Sequence, residues 1–162
     1  MKETNEKKCV FAGTFDPPTL GHQAVIRESL KIFDEVVVAI LVNPAKTPCF
    51  TVEQRKEMLA LTCANPRVRV VEFEGTVAEL LKKENTPFYV RGIRNGVDLD
   101  FENANFYASK KLDPSLVAVY LPCPQELLHV SSSMVRNSLQ FKTPIDEYVT
   151  AEVKEYIRKI YE

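Results

Sequence analysis

The sequence has no excess of charge of either sign: 21 Lys and Arg stand against 22 Asp and Glu, for a formal charge of -1. General affinity for nucleic acid needs a basic field, so any phosphate site must be local. A long apolar run is also missing. The longest, Val36 to Val42, spans seven residues, where a bilayer-spanning helix takes about 20. The polar segment Met1 to Lys8 lacks the apolar stretch of a secretory leader. These absences give the expectation of a cytoplasmic chain with neither a membrane nor a nucleic acid among its partners.

No Cys-x-x-Cys pair occurs. Cys9, Cys49, Cys63 and Cys123 are separated by tens of residues, and the two histidines complete no metal-ligand spacing. Reduced thiols and no protein-borne metal site are expected. Neither a Gly-x-Gly-x-x-Gly fingerprint nor a Walker A Gly-Lys-Ser/Thr is present, which excludes the two commonest glycine-rich phosphate loops. Internal repeats and Gly/Ser linkers are lacking too. The 162 residues, 45% hydrophobic and 27% charged, suit one globular domain, and scaling allows about 70% of its unfolded surface to be buried. The expected organisation is a frayed N-terminus over 1–7 and a single domain over 8–162.

What the chain does have is rhythm. Short apolar runs at Cys9 to Ala12, Val36 to Val42, Val68 to Phe73, Phe88 to Val90 and Val117 to Leu121 alternate with amphipathic segments. This pattern predicts an α/β fold, a parallel sheet of about five strands with helices on both faces. Val36 to Val42 has no polar alternation, as suits a central strand covered on both sides. Helical spacing appears in His22 to Phe33, after the capping box Thr51-Val-Glu-Gln54, and in Val77 to Lys83, Asp98 to Leu112, Ser132 to Leu139 and Ile145 to Tyr161.

In open α/β sheets ligands collect beyond the carboxyl ends of the strands. The first strand runs into Gly13-Thr-Phe-Asp-Pro-Pro-Thr-Leu-Gly-His22, where a helix start offers free N-H groups and a favourable dipole to an anion. His22 alone would be a capping or packing histidine. Lys46 ends the second strand, however, and Arg91-Gly-Ile-Arg94 the fourth, so that with His22 after the first strand basic residues stand at three strand ends. Gly92 suits either a turn or close approach of backbone to a ligand. Val130-Ser-Ser-Ser-Met-Val-Arg136 follows the fifth strand, with more serines than one N-cap uses.

Thr19-Leu-Gly-His22 after a Gly-Thr-Phe-Asp-Pro turn, with Ser-Ser-Ser-x-Val-Arg near the C-terminus, resembles the nucleotidyltransferase superfamily, whose fold is Rossmann-like. Arg91-Gly-Ile-Arg-Asn95, followed by Asp98 and Glu102, narrows the resemblance to the bacterial phosphopantetheine adenylyltransferase family, in order from about Cys9 to the last helix. The resemblance implies joining of ATP and 4'-phosphopantetheine with Mg²⁺ to give dephospho-coenzyme A and pyrophosphate, in a homohexamer. It implies that Thr14, Lys46 and Arg91 hold the acceptor phosphate and that Val77 lines the pantetheine arm. Thr14, Phe15, His22, Gly92, Ile93, Arg94, Glu102, Leu127, Leu128, His129, Val130, Ser131, Ser132 and Ser133 would hold ATP, with His22 beside the reacting α-phosphate. Phe101 stands where the family commonly has Tyr, and Leu127 where it commonly has Trp.

The inventory suits that chemistry. A phosphate monoester, with a second pKa of about 6, is a nucleophile at neutral pH without a general base. Catalysis then rests on alignment and charge neutralisation, with His22, Lys46 and Arg91 as the catalytic candidates. Mg²⁺ is expected to bind chiefly through phosphates and water. Two other readings stand beside this one: a nicotinate-mononucleotide adenylyltransferase or cytidylyltransferase, and a non-catalytic adenylate-sensing module.

Overall fold

The computed structural model describes residues 6–162. Five strands, β1 (Lys8–Gly13), β2 (Glu35–Leu41), β3 (Val68–Phe73), β4 (Phe88–Ile93) and β5 (Val117–Pro122), form one parallel sheet in the order β3-β2-β1-β4-β5. Helices α1 (Leu20–Ser29), α2 (Val52–Thr62), α3 (Val77–Lys83), α4 (Gly96–Leu112), α5 (Ser132–Gln140) and α6 (Ala151–Ile160) complete the α/β fold.

Burial of both sheet faces follows from the two-residue period of a strand. Cys9, Phe11, Val36, Val38 and Ile40 pack on one side with Val25 and Ile26 of α1 and Leu59 of α2. Val10, Ala12, Val37 and Ala39 pack on the other with Ala78, Leu80 and Leu81 of α3. A third cluster, Phe50, Met58, Val135, Ile145, Val149, Val153 and Ile157, joins α2, α5 and α6. The four cysteines are free, and burial, with Glu35 adding to it, pushes the Cys9 thiol up to about 12.

Departures from the sequence reading are local. The last helix begins at Ala151, capped by Thr150, and not at Ile145. Ile145 and Val149 are buried, but from a non-helical segment. Strand β4 continues through Arg91 to Ile93, so Arg91 lies inside a strand, and Gly92 serves no turn. Of the segment 1–7 expected to fray, residues 1–5 lie outside the described residues; the Lys7 N-H donates to Asp34 Oδ2 at 2.8 Å and its carbonyl accepts from Asp34 N. Among the described residues no helix is long and apolar enough to cross a membrane.

The strand order reverses between β1 and β4, where a crevice opens at the carboxyl edge. β1 is registered with β2 along its whole length, but with β4 only at Val10 and Tyr89. Beyond that pair the two strands part, and the Arg91 guanidinium takes the Ala12 carbonyl.

Candidate active site

The crevice holds a cleft of about 310 Å³ lined by Thr14, Phe15, His22, Arg91, Gly92, Arg94, Glu102, Val130, Ser131 and Ser132, ten of the predicted residues. A second cavity of about 600 Å³ adjoins it, lined by Lys46, Arg55, the turn Val42 to Pro44, Glu74 and Gly75. Thr14, exposed at the start of the loop after β1, lines both.

His22 occupies the third position of α1, and there its capping and its cleft positions coincide. The Thr19 N-H donates to Nδ1 at 3.0 Å, while Thr19 Oγ1 accepts from the His22 N-H, a capping box with histidine in the glutamate place. An Nδ1 that accepts leaves the ring proton on Nε2. The Phe15 ring packs edge-on against the imidazole, 4.8 Å between centroids. Enclosure, then the positive charges of Arg91 and Arg94, lower the His22 pKa to about 4. The histidine is therefore a neutral Nε2-H donor at physiological pH.

Arg91 donates to Glu102 Oε1 at 2.8 Å and to Ala12 O, and its Nε-H is buried without a partner among the described residues. Glu102, 7% exposed, is the one residue of α4 that is buried, so this ion pair fastens the helix to the site. Arg94 is held by Asp98, Nε to Oδ2 at 3.0 Å, and that contact keeps the Asp98 carboxyl below its ordinary range. Gly92 has no room for a side chain. A Cβ there would lie 2.6 Å from Val25 Cγ2, so the glycine lets α1, with His22, sit close on β4.

The three serines divide three tasks. Ser131 Oγ caps α5 at Met134 N, Ser132 Oγ donates to Pro17 O at 2.7 Å, and Ser133 Oγ accepts from Arg136 at 3.0 Å. Arg136 also lines the cleft and donates to Asp16 O at 2.8 Å. The motif contained this arginine, but nothing in the sequence indicated a backbone partner so far away. Phe15 is a second surprise, with φ of 51°, a left-handed conformation that costs a non-glycine residue energy. It belongs to the core cluster and also lines the cleft.

Some predicted residues stand apart from these two cavities. Val77 begins α3 and packs partly buried on the second sheet face. Leu127 ends a short 3₁₀ turn (Gln125–Leu127), Leu128 and His129 are exposed beyond it, and neither they nor Ile93 and Ser133 line the cleft. All three carboxylates on the cleft wall are engaged, Asp16 by backbone amides and Asp98 and Glu102 by arginines. Among the described residues no cluster of His, Cys, Asp and Glu could hold a metal ion.

The family model Cytidylyltransferase-like matches residues 10–138. The chain is 36% identical to a phosphopantetheine adenylyltransferase of Lachnoclostridium phytofermentans, over 94% of each chain. It is 38% identical to one of Flavobacterium johnsoniae, over 83% of this chain and 88% of that one. Among solved structures, a nicotinate-nucleotide adenylyltransferase candidate from Vibrio parahaemolyticus superposes with a TM-score of 0.73 at 25% identity, covering 95% of this chain and 93% of that one. The nicotinic acid mononucleotide adenylyltransferase of Plasmodium falciparum does so with a TM-score of 0.69 at 20% identity, covering 96% of both. The solved structures share the fold, and the sequence relatives carry the closer kinship.

Proposed function

Because the chain belongs to the phosphopantetheine adenylyltransferase family, it is an adenylyltransferase of coenzyme A biosynthesis, and we propose that its two adjoining cavities transfer AMP from ATP to 4'-phosphopantetheine by direct attack. The observation that carries this reading is the shared Thr14 wall, which lets one anionic substrate on the Lys46 side face another on the His22 side.

The acceptor's phosphate dianion needs no proton removed, so no base is required. One of its oxygens forms the new bond to the α-phosphorus of ATP as the bond to pyrophosphate breaks. Lys46 and Thr14 hold the acceptor phosphate, and the Arg91 guanidinium, kept in the crevice by Glu102 and Ala12 O, offers charge to both phosphates. The His22 Nε2-H donates to the α-phosphate oxygen as charge develops there, and neutrality lets the imidazole do so without change of protonation. The N-terminus of α5, with Ser131 and Ser132, receives the polyphosphate end. Mg²⁺ enters as part of the Mg·ATP substrate, in keeping with carboxylates already committed to protein donors.

A homohexamer completes the proposal. Val97, Phe101, Ala104, Ala108 and Leu112 form an exposed apolar stripe along α4, spaced as one helix face. Val97 is 77% and Phe101 65% exposed. Such a stripe on the helix that supplies Glu102 is suited to packing against other copies of the chain.

The test of direct transfer is isotope exchange. Labelled pyrophosphate should enter ATP only when 4'-phosphopantetheine is present. Exchange in its absence would mean an adenylylated enzyme and would overturn the mechanism.

A further inference from the structure

Three arginines from three elements reach carbonyls at the end of β1 and in the loop that follows it: Arg91 of β4 reaches Ala12 O, Arg55 of α2 reaches Thr14 O, and Arg136 of α5 reaches Asp16 O. Arg91 and Arg136 also line the nucleotide cleft, whereas Arg55 borders the adjoining cavity that holds Lys46. At 3% exposed Arg55 is one of the most buried charged groups in the chain, and burial is costly for a charge unless it is bonded.

Its bonds join two loops. Arg55 Nη1-H donates to Thr14 O at 2.9 Å, and Nε-H donates to Phe50 O at 3.1 Å. Asp16 closes the tie from the other side, its Oδ1 accepting from Phe50 N at 2.9 Å and its Oδ2 from Cys49 N at 2.8 Å. The Phe50 residue is thus gripped at its N-H by one loop and at its carbonyl by a guanidinium bound to that same loop. Thr14 stands at one end of this tie, and Lys46 lies on the segment that ends at Cys49 and Phe50.

Resting on the reading of the two cavities given above, we infer that Arg55 and Asp16 are positioning residues that set the separation of the acceptor half-site from the nucleotide half-site. Each half-site keeps its own binding groups without the tie, but the two reacting phosphates lose their alignment. In-line attack is sensitive to that, since misplacement by about 1 Å can cost about 100-fold in rate. A tie of this kind therefore acts on kcat far more than on the affinity for either substrate.

The experiment uses Arg55→Lys, Asp16→Asn and the double variant in the full chain. Lysine keeps the charge, but its single ammonium cannot bond Thr14 O and Phe50 O from two separated nitrogens as the guanidinium does. Asparagine turns an amide NH₂ toward one of the two N-H groups that Asp16 accepts. Measured are kcat for adenylyl transfer to 4'-phosphopantetheine, the calorimetric Kd of each substrate alone, and the thermal midpoint. The expected result is a fall in kcat of about 100-fold in either single variant. Each Kd should change far less than kcat, with the Kd for ATP in Arg55→Lys within about threefold, and the double variant should be no worse than the singles because one tie is being cut. Unchanged kcat in a folded variant, Kd values that rise with the loss of rate, or loss of the fold in both variants would overturn the inference. A wild-type chain without adenylyl transfer would remove the functional reading itself, and the inference with it; an active wild type with active variants would remove only the inference.

Discussion

Replacing His22 with alanine should produce two separable losses, because the residue has two partners. On the cleft side the Nε2-H is lost, a donor present before reaction and aimed where charge develops. Removing one such donor costs about 100- to 1,000-fold in kcat. On the helix side the reciprocal bond to the Thr19 N-H disappears, and weakening a cap costs about 1 kcal/mol. For a chain of this length that is about 2–4 °C in Tm. Glutamine separates the two effects, since at the third helical position it can still accept from the Thr19 N-H. His22→Gln should restore Tm and only part of kcat. The low pKa gives a further handle. Above about 6.5 the imidazole is neutral in both states; between 6.5 and about 4 the unfolded chain takes up a proton that the folded chain refuses. Stability is thus fully present above pH 6.5 and falls as the pH drops through that window, by about 2 kcal/mol at pH 5 for this one group. Melts at pH 7.5 and 5 should show that contribution in the wild type and not in His22→Ala. A folded His22→Ala enzyme with wild-type kcat would refute the donor role, and an unchanged pH difference would refute the enclosure argument.

Lys46→Ala should raise KM for the acceptor about 10- to 100-fold, the worth of one charge-assisted bond, and leave KM for ATP nearly unchanged; a selective rise in KM for ATP would put Lys46 on the wrong half-site. Gly92→Ala must displace Val25, given the 2.6 Å approach of its added carbon. The expected cost is about 1–3 kcal/mol, read by chemical denaturation, and a variant as stable as wild type would show that α1 can withdraw freely. Light scattering at micromolar concentration should give six times the 18.4 kDa chain mass. Phe101→Asp on the α4 stripe should shift it downward, and a wild-type mass of one chain would refute the assembly.

The strands were legible because burial on both faces demands uninterrupted apolar residues, and Val36 to Ile40 supply them without exception. The helix start at Val52 was legible because caps are local: Thr51 and Gln54 satisfy each other within four residues, as Thr76 and Glu79 do before the helix that spacing alone indicated at Val77. The last helix was misread because Ile145 and Val149 meet the same core as Val153 and Ile157, and apolar spacing records burial without recording backbone conformation. At the site, His22, Lys46 and the two arginines stood out by charge and position. Asp16, Arg55 and Arg136 did not, since each acts on backbone groups 33 to 120 residues away, which no local spacing reveals. Gly92 was half legible: its lack of a side chain mattered, but the neighbour that requires it is Val25 of α1.

The most direct measurement of the central claim is product identity under matched conditions. Purified enzyme with Mg·ATP is given 4'-phosphopantetheine, dephosphorylated pantetheine or nicotinate mononucleotide, and products are identified by mass spectrometry while pyrophosphate release is followed. The account predicts dephospho-coenzyme A from the first, nothing from the second, which lacks both nucleophile and anchoring anion, and a kcat/KM at least about 100-fold lower for the third. Equal or faster adenylylation of nicotinate mononucleotide, or transfer to the dephosphorylated arm, would contradict it.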